Sequence, residues 1–370
     1  MRIVVFAFLF AVLAVGQVAP KQAPQQAPQQ PPDPIEQALA RKDYQEAIKL
    51  LRPLADKGDA AAQGLLGELY MTGQGVPQNN SEALSWLRKS AAQGFVQSQY
   101  TIGMMYATGR GVKQDFAEAI KWIRGAADRG LAQAQHDMGL MYHEGQGVTR
   151  DFTQSLNWYR KAAAQGVGEA ELALGSMYAT GEGVPANLTE GANWYKKAAA
   201  RGVPEAQHNL GVMYANGQGV AKNLTEAANW SRKAADQGHP AAQLNVAIMY
   251  ATGQGVAKDN GQAMNWLRKA GTQNGVNPVE GFRILAEDGY APAQVEMGLA
   301  YENGRGVPKL DSEAVDWFRA AAEKGNAAGQ YNLGRMYAAG KGVPVNDAQA
   351  RQWFERAAKQ GHAEAKGKLK

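Results

Sequence analysis

The chain has 370 residues, no cysteine, and 39 Lys and Arg against 34 Asp and Glu, for a net charge of +5. Without thiols it excludes a disulfide framework, a thiolate nucleophile and a thiolate metal site. The modest positive charge permits attraction to anionic polymers or acidic partners, but basic and aromatic residues are not interleaved on one face, so no nucleic acid is expected as a partner.

Met1 and Arg2 precede an unbroken apolar run, residues 3 to 15 (IVVFAFLFAVLAV). It is shorter than the roughly 20 residues that a bilayer span requires, and Ala14 and Gly16 supply small residues at the cleavage-site positions, so residues 1 to 16 read as a signal peptide. The expected localisation is periplasmic or secreted, with no integral membrane segment left after cleavage at Gln17; an uncleaved anchor is the alternative. Residues 17 to 34 are Pro, Gln and Ala with almost nothing to bury and form a linker. Residues 35 to 58 (IEQALARKDYQEAIKLLRPLADKG) read as a degenerate N-terminal helix pair.

From Asp59 to Gly361 variants of one unit run end to end, with residues 203 to 238 (VPEAQHNLGVMYANGQGVAKNLTEAANWSRKAADQG) as its clearest copy. Its Gly-x-Gly-Val signature starts at Gly73, Gly109, Gly145, Gly181, Gly217, Gly253, Gly304 and Gly340, at six intervals of 36 residues and one of 51. Every tryptophan of the chain stands thirteen residues after such a glycine, and a tyrosine stands three residues before each. A period of this length marks an array of stacked units.

Within a copy, Ala206, Leu210, Met213 and Tyr214 recur at helical spacing and define a first helix, A. The Gly-x-Gly stretch ends it. Asn79, Asp115, Asp151, Asn187, Asn223, Asp259 and Asn346, each followed three residues later by Glu or Gln, resemble capping boxes that start a second helix, B. Only the copy at Gly304 departs, with Leu310 in the cap place. Helix B carries Ala227, Trp230, Ala234 and Ala235 on one stripe. Its basic pairs, such as Arg160-Lys161 and Arg232-Lys233, are expected on the opposite face, pointing into solvent.

This pattern of Leu-Gly-x-Met-Tyr, Gly-x-Gly-Val, Asn or Asp, Trp and Lys-Ala-Ala-x-x-Gly resembles the Sel-one-like repeat (SLR) family, which is related to tetratricopeptide repeats. The resemblance implies an all-α fold, a right-handed α/α superhelical solenoid of tandem helix-turn-helix repeats, eight of them over residues 59 to 361. It also implies an adaptor or scaffold with no reaction common to the family. Some cysteine-rich secreted relatives are linked to β-lactams, but their paired cysteines are missing here.

Fifteen extra residues fall within 271 to 289, where Pro278 opens a second helix-B-like ending, and these are expected to interrupt the stacking register. Residues 362 to 370 start another helix A and form a C-terminal cap fragment.

No constellation of catalytic residues stands out, and no cofactor is expected. His136 and His143, with Glu144 adjacent, invite a metal site, but seven residues of helix separate them by roughly 10 Å, too far for one ion. The expected function is therefore binding of a protein or peptide partner in the bacterial envelope or exterior; a cell-wall or surface glycan is the alternative, and a hydrolase such as a β-lactamase ranks last. Numbered from the residue after the closing glycine, positions 4, 8, 11 and 12 of helix A form the core stripe, which leaves positions 3, 6, 10 and 13 to line a concave groove. Positions 6 and 10 are also where the copies stop agreeing. The candidate partner-binding residues are Tyr100, Met104, His136, Leu140, His208, Val212, Leu244, Ile248, Tyr331 and Arg335.

Overall fold

The computed structural model describes residues 33 to 273 and 275 to 369. The signal peptide read at 1 to 16, and all but the last two residues of the linker, lie outside them. Among the described residues all regular structure is helical: twenty helices, from Pro34–Ala40 to Ala363–Gly367, follow one another as tandem pairs. The fold is an all-α solenoid of helix-turn-helix repeats. It divides into two compact units, one up to Gln93 and one from Gly94.

The first unit holds the pair Pro34–Ala40 and Tyr44–Asp56 and the pair Ala60–Thr72 and Asn80–Ala92. Ile48, Leu51, Leu66, Leu69 and Trp86 make its core. In the second unit each 36-residue copy contributes a 13-residue helix A, such as Pro204–Asn216, and a helix B, such as Leu224–Asp236.

The hairpin turn shows why its glycines are needed. Gly217 closes helix A at φ 72°, and its N–H donates to the Met213 carbonyl. The second glycine of the signature also has positive φ. It lies so close to the start of the preceding helix B that a Cβ on Gly147, Gly219 or Gly255 would stand 2.3, 2.1 or 2.0 Å from a carbonyl oxygen of Phe116, Leu188 or Leu224. Any side chain there would therefore separate neighbouring copies, as well as straining its own backbone.

The caps form, but only half of each box does. Asn79, Asp151, Asn187, Asn223, Asp259 and Asn346 each accept from the N–H three residues on, and Asp115 accepts from two such groups. Leu310 has the same backbone conformation and no side-chain cap bond. The expected return bond from Glu or Gln is replaced: the backbone N–H of Asn223 donates to the Tyr214 carbonyl at 2.9 Å, and the other copies repeat this. Helix A ends with unpaired carbonyls, and the tight turn brings one of them to the cap residue first.

Helix B needs two corrections. Trp86, Trp158 and Trp266 are buried, but the other five indoles are half-buried, and the residue after the tryptophan lies deeper, as with Ile123, Leu267 and Phe318. That residue faces position 9, a glycine in every copy except the one with Ala247: a Cβ on Gly139, Gly175, Gly298 or Gly334 would lie 2.4 to 2.8 Å from the ring of Tyr159, Tyr195, Phe318 or Phe354. Nor does the basic pair point wholly into solvent. The lysine three residues after the tryptophan folds back over the indole, with its ammonium 3.9 Å from the ring centroid for Lys89, Lys161 and Lys233. The arginine before it reaches the tyrosine of the following helix A, as in Arg160 to the Tyr178 hydroxyl at 2.6 Å and Arg232 to the Tyr250 hydroxyl at 2.8 Å.

The insertion does not break the core. Its helix, Val279–Glu287, buries Val279, Phe282, Leu285 and Ala286 in one cluster with Trp266, Leu267 and Met297. It takes the seat against Ala291–Asn303 that helix B takes elsewhere. Gly281 packs on Leu267 and the Asn277 side chain meets Gly306, so two close glycine approaches tie the insertion to the copies on either side.

Candidate functional site

Positions 4, 8 and 11 of helix A are buried, as Ala206, Leu210 and Met213 show, and the position 12 tyrosine is half-buried beside them. The ten candidate residues at positions 6 and 10 are all half-buried. Position 6 is therefore not the open lining expected of it: it sits in the seam between copies. Tyr331 lies 5.8 Å from Phe354 of its own copy and stacks at 4.6 Å on His362, which is position 1 of the next. His136 meets Tyr159 at 5.6 Å, and His208 stacks on His239 at 4.7 Å. Leu244 packs on the core around Val246 and Leu267. Rotation about a single helix axis assigns position 6 to the surface, and the neighbouring copy covers it.

Tyr100, Met104, His136 and Leu140 do come together. Tyr100 and Met104 pack on the core of Ile120, Ile123 and Met138, and Leu140 packs on the core of Leu156, Tyr159 and Leu174. The Tyr100 hydroxyl donates to Asp137 at 2.8 Å, Gln133 donates to the same carboxylate at 3.2 Å, and the His136 Nδ1 lies 2.9 Å from it. Burial, then the Asp137 charge, pushes the Tyr100 hydroxyl well above its usual range, so it remains a neutral donor. Three side chains are thus fixed by a carboxylate that the sequence reading overlooked. Val212 and Ile248 continue the position 10 row on the following copies, half-buried.

The histidines diverge in chemistry. His143 Nε2 lies 2.9 Å from Glu182 while His136 pairs with Asp137, so the two have separate carboxylate partners, and among the described residues no group of three metal-ligating side chains forms. Burial, then His239, lowers His208 to about 4, which leaves it neutral at pH 7.

Arg335 is held from two sides, donating to Glu302 at 2.7 Å and to Asn332 at 3.2 Å, with its guanidinium near the Tyr331 ring. Position 13 of one copy therefore borders position 10 of the next, and the two rows share one surface.

A second missed feature runs along the seams. The position 5 glutamine donates to a carbonyl of the preceding helix B, as Gln135 does to Ala127, and accepts from a glutamine thirty residues on, as from Gln165 at 2.8 Å. One copy swaps both partners: Arg201 donates to Glu171 at 2.9 Å. The recurrence of Gln63 with Gln93, Gln207 with Gln237 and Gln330 with Gln360 was the available signal.

A model of the Sel1 repeat matches residues 37–59, 60–95, 96–131, 132–167, 168–203, 204–239, 240–275, 291–326 and 327–362. The first of these matches falls on the pair read as degenerate, so the repeats number nine. No curated protein matches the sequence significantly. Two solved structures are similar over most of their length. A Sel1 repeat protein from Oxalobacter formigenes is 35% identical over 95% of this chain and 97% of its own, with a TM-score of 0.52. A protective antigen present in uropathogenic Escherichia coli strains, displaying an SLR fold, is 34% identical over 88% of this chain and 82% of its own, with a TM-score of 0.51. Matched in nine segments, with glycine turns, seams and core stripe repeated through the last eight, the chain belongs to the Sel1 repeat family.

Proposed function

We propose that this chain is a non-enzymatic adaptor of the bacterial envelope or exterior that holds a protein or peptide along the position 10 and 13 rows of helix A, the concave lining of the solenoid. Sel1 repeat proteins are generally protein-interaction scaffolds and typically lack enzymatic activity. The observation that carries the reading is local: on an array whose turns, caps and core repeat almost residue for residue, position 10 changes from Met104 to Leu140, Ser176, Val212, Ile248, Leu299 and Arg335 while remaining at the surface. Packing imposes sameness, so half-exposed apolar residues that differ from copy to copy suit a partner whose own side chains differ along its length. Export rests on the apolar run at residues 3 to 15, and it accords with the antigenic role named for the Escherichia coli relative. Among the described residues no helix is long and apolar enough to cross a membrane.

A glycan partner draws on exposed basic rows and aromatic rings, but those lysines already lie on their own indoles. Photo-crosslinking residues placed at 104 and 140 test the protein reading in intact cells. Protein adducts are expected from both, and few from a probe at 161 on helix B. Adducts from 161 alone would move the partner to the other face, and sedimentation with purified peptidoglycan would favour the glycan.

A further inference from the structure

The last copies build a charged cavity that their own repeat does not call for. It measures about 290 Å³ and is lined by Glu302, Arg335, Lys341 and Lys368 over an apolar floor that includes Met336 and Phe354. Arg335 stands at position 10, where the preceding copy carries Leu299; Glu302 stands at position 13, where four other copies in the same unit carry Ala107, Ala179, Ala215 and Ala251 and the next carries Ala338. Alanine satisfies the packing at position 13. A carboxylate there is only 8% exposed and loses its hydration, and an ion pair seldom repays that loss relative to a small apolar residue. The group is therefore poorly explained by stability.

Its charges do not balance either. Glu302 is 2.7 Å from Arg335 and 3.7 Å from Lys341, so one carboxylate is shared by two cations. Lys368 adds a third, and among the described residues it forms no ion pair. Glu302 and Asn332 hold two edges of the Arg335 guanidinium, fixing its plane toward the cavity. Among the described residues the lining has an excess of two positive charges beside an apolar floor, which suits an anion that brings an apolar body with it. Glu302 would repel a second negative charge, which disfavours phosphate.

We infer that this cavity receives the terminal carboxylate of a peptide, with Arg335 and Lys368 on the carboxylate and the last apolar side chain on Met336 and Phe354. This rests on the scaffold reading and names one end of its ligand. A free C-terminus places a single negative charge and a side chain on the same residue, within the reach of so small a cavity.

The test uses the full chain and two pools of N-acetylated hexapeptides, identical except that one ends in a free acid and the other in an amide. The free-acid pool should bind at least tenfold more tightly, and Arg335→Leu, the residue of the preceding copy, should abolish that preference; combined with Glu302→Ala, so that no carboxylate is left buried without its partner, it should do so with an unchanged helical melting curve. Lys368→Gln, outside every core contact, should weaken it severalfold. Equal binding of the two pools, a preference that survives Arg335→Leu, or displacement of the peptides by equimolar inorganic phosphate would each overturn the assignment. Failure here with crosslinks intact at 104 and 140 would sink the carboxylate site alone, whereas loss of those crosslinks would sink the scaffold reading beneath it.

Discussion

Truncating Trp158 and, separately, the lysine that covers it tests how helix B divides between core and surface. Trp158 is 6% exposed and shares a cluster with Ala134, Met138 and Met141. Removing a buried side chain of that size leaves a cavity bounded by two helices that are each fixed by their own turn, so Trp158→Ala should cost about 3 to 5 kcal/mol. Lys161 contributes differently. Its ammonium is 3.9 Å from the indole centroid and open to water, where such a contact contributes about 0.5 to 1 kcal/mol. Lys161→Ala should therefore cost several times less, and it should cost nothing further once Trp158 is gone. Urea unfolding followed by circular dichroism gives the two values and, with the double mutant, their coupling. Because each copy touches chiefly its neighbours, hydrogen exchange should accelerate between residues 132 and 203 and stay unchanged in the last copy. If Lys161→Ala cost as much as Trp158→Ala, or if protection fell evenly along the second unit, the assignment of faces would be wrong.

Leu310 occupies a cap position with the backbone of its seven counterparts and is 48% exposed, so Leu310→Asn should stabilise by about 0.5 to 1 kcal/mol in urea titrations. Arg201→Gln strands the Glu171 carboxylate, which is 2% exposed, and should cost about 1 to 3 kcal/mol, discounted because the arginine is half exposed. The double change Glu171→Gln with Arg201→Gln rebuilds the common glutamine pair and should recover most of that loss; no recovery would refute the seam. For His208 the folded pKa, about 4, lies below the unfolded value of about 6.5, so the unfolded chain takes up the proton first. Stability should fall as pH drops from about 6.5 to about 4 and level off below; a His208→Gln variant whose urea midpoint fell equally over that range would show that another group is responsible.

Much of this was legible because it is local. The turn, the glycine conformations, the cap residues and the core stripe of helix A each depend on residues within a few positions of one another, and eight repetitions leave little ambiguity. The reading failed where the reach of a side chain or the approach of a second helix decides the contact. Lys161 lies three residues, and so only about 60° of helix rotation, from Trp158, and a long flexible stem closes that gap. Periodicity gives a direction from the axis but not the reach of the side chain. Position 9 entered only as the glycine of the Leu-Gly-x-Met-Tyr pattern, although that glycine is what admits the ring of Tyr159, Tyr195 or Phe354.

For this protein the sequence by itself determined the unit, its two helices, the left-handed glycines between them and the family. Only the tertiary structure decided what each unit does with its neighbour. Contacts such as Gln135 with Gln165, Tyr100 with Asp137, Tyr331 with His362 and Glu302 with Arg335 join residues 30, 37, 31 and 33 positions apart. Those offsets follow from how far one hairpin is shifted and turned as it stacks on the next. Hydrophobic spacing within a helix carries no record of that displacement, which is set by the second glycine against the preceding helix and by the bulk packed into each seam.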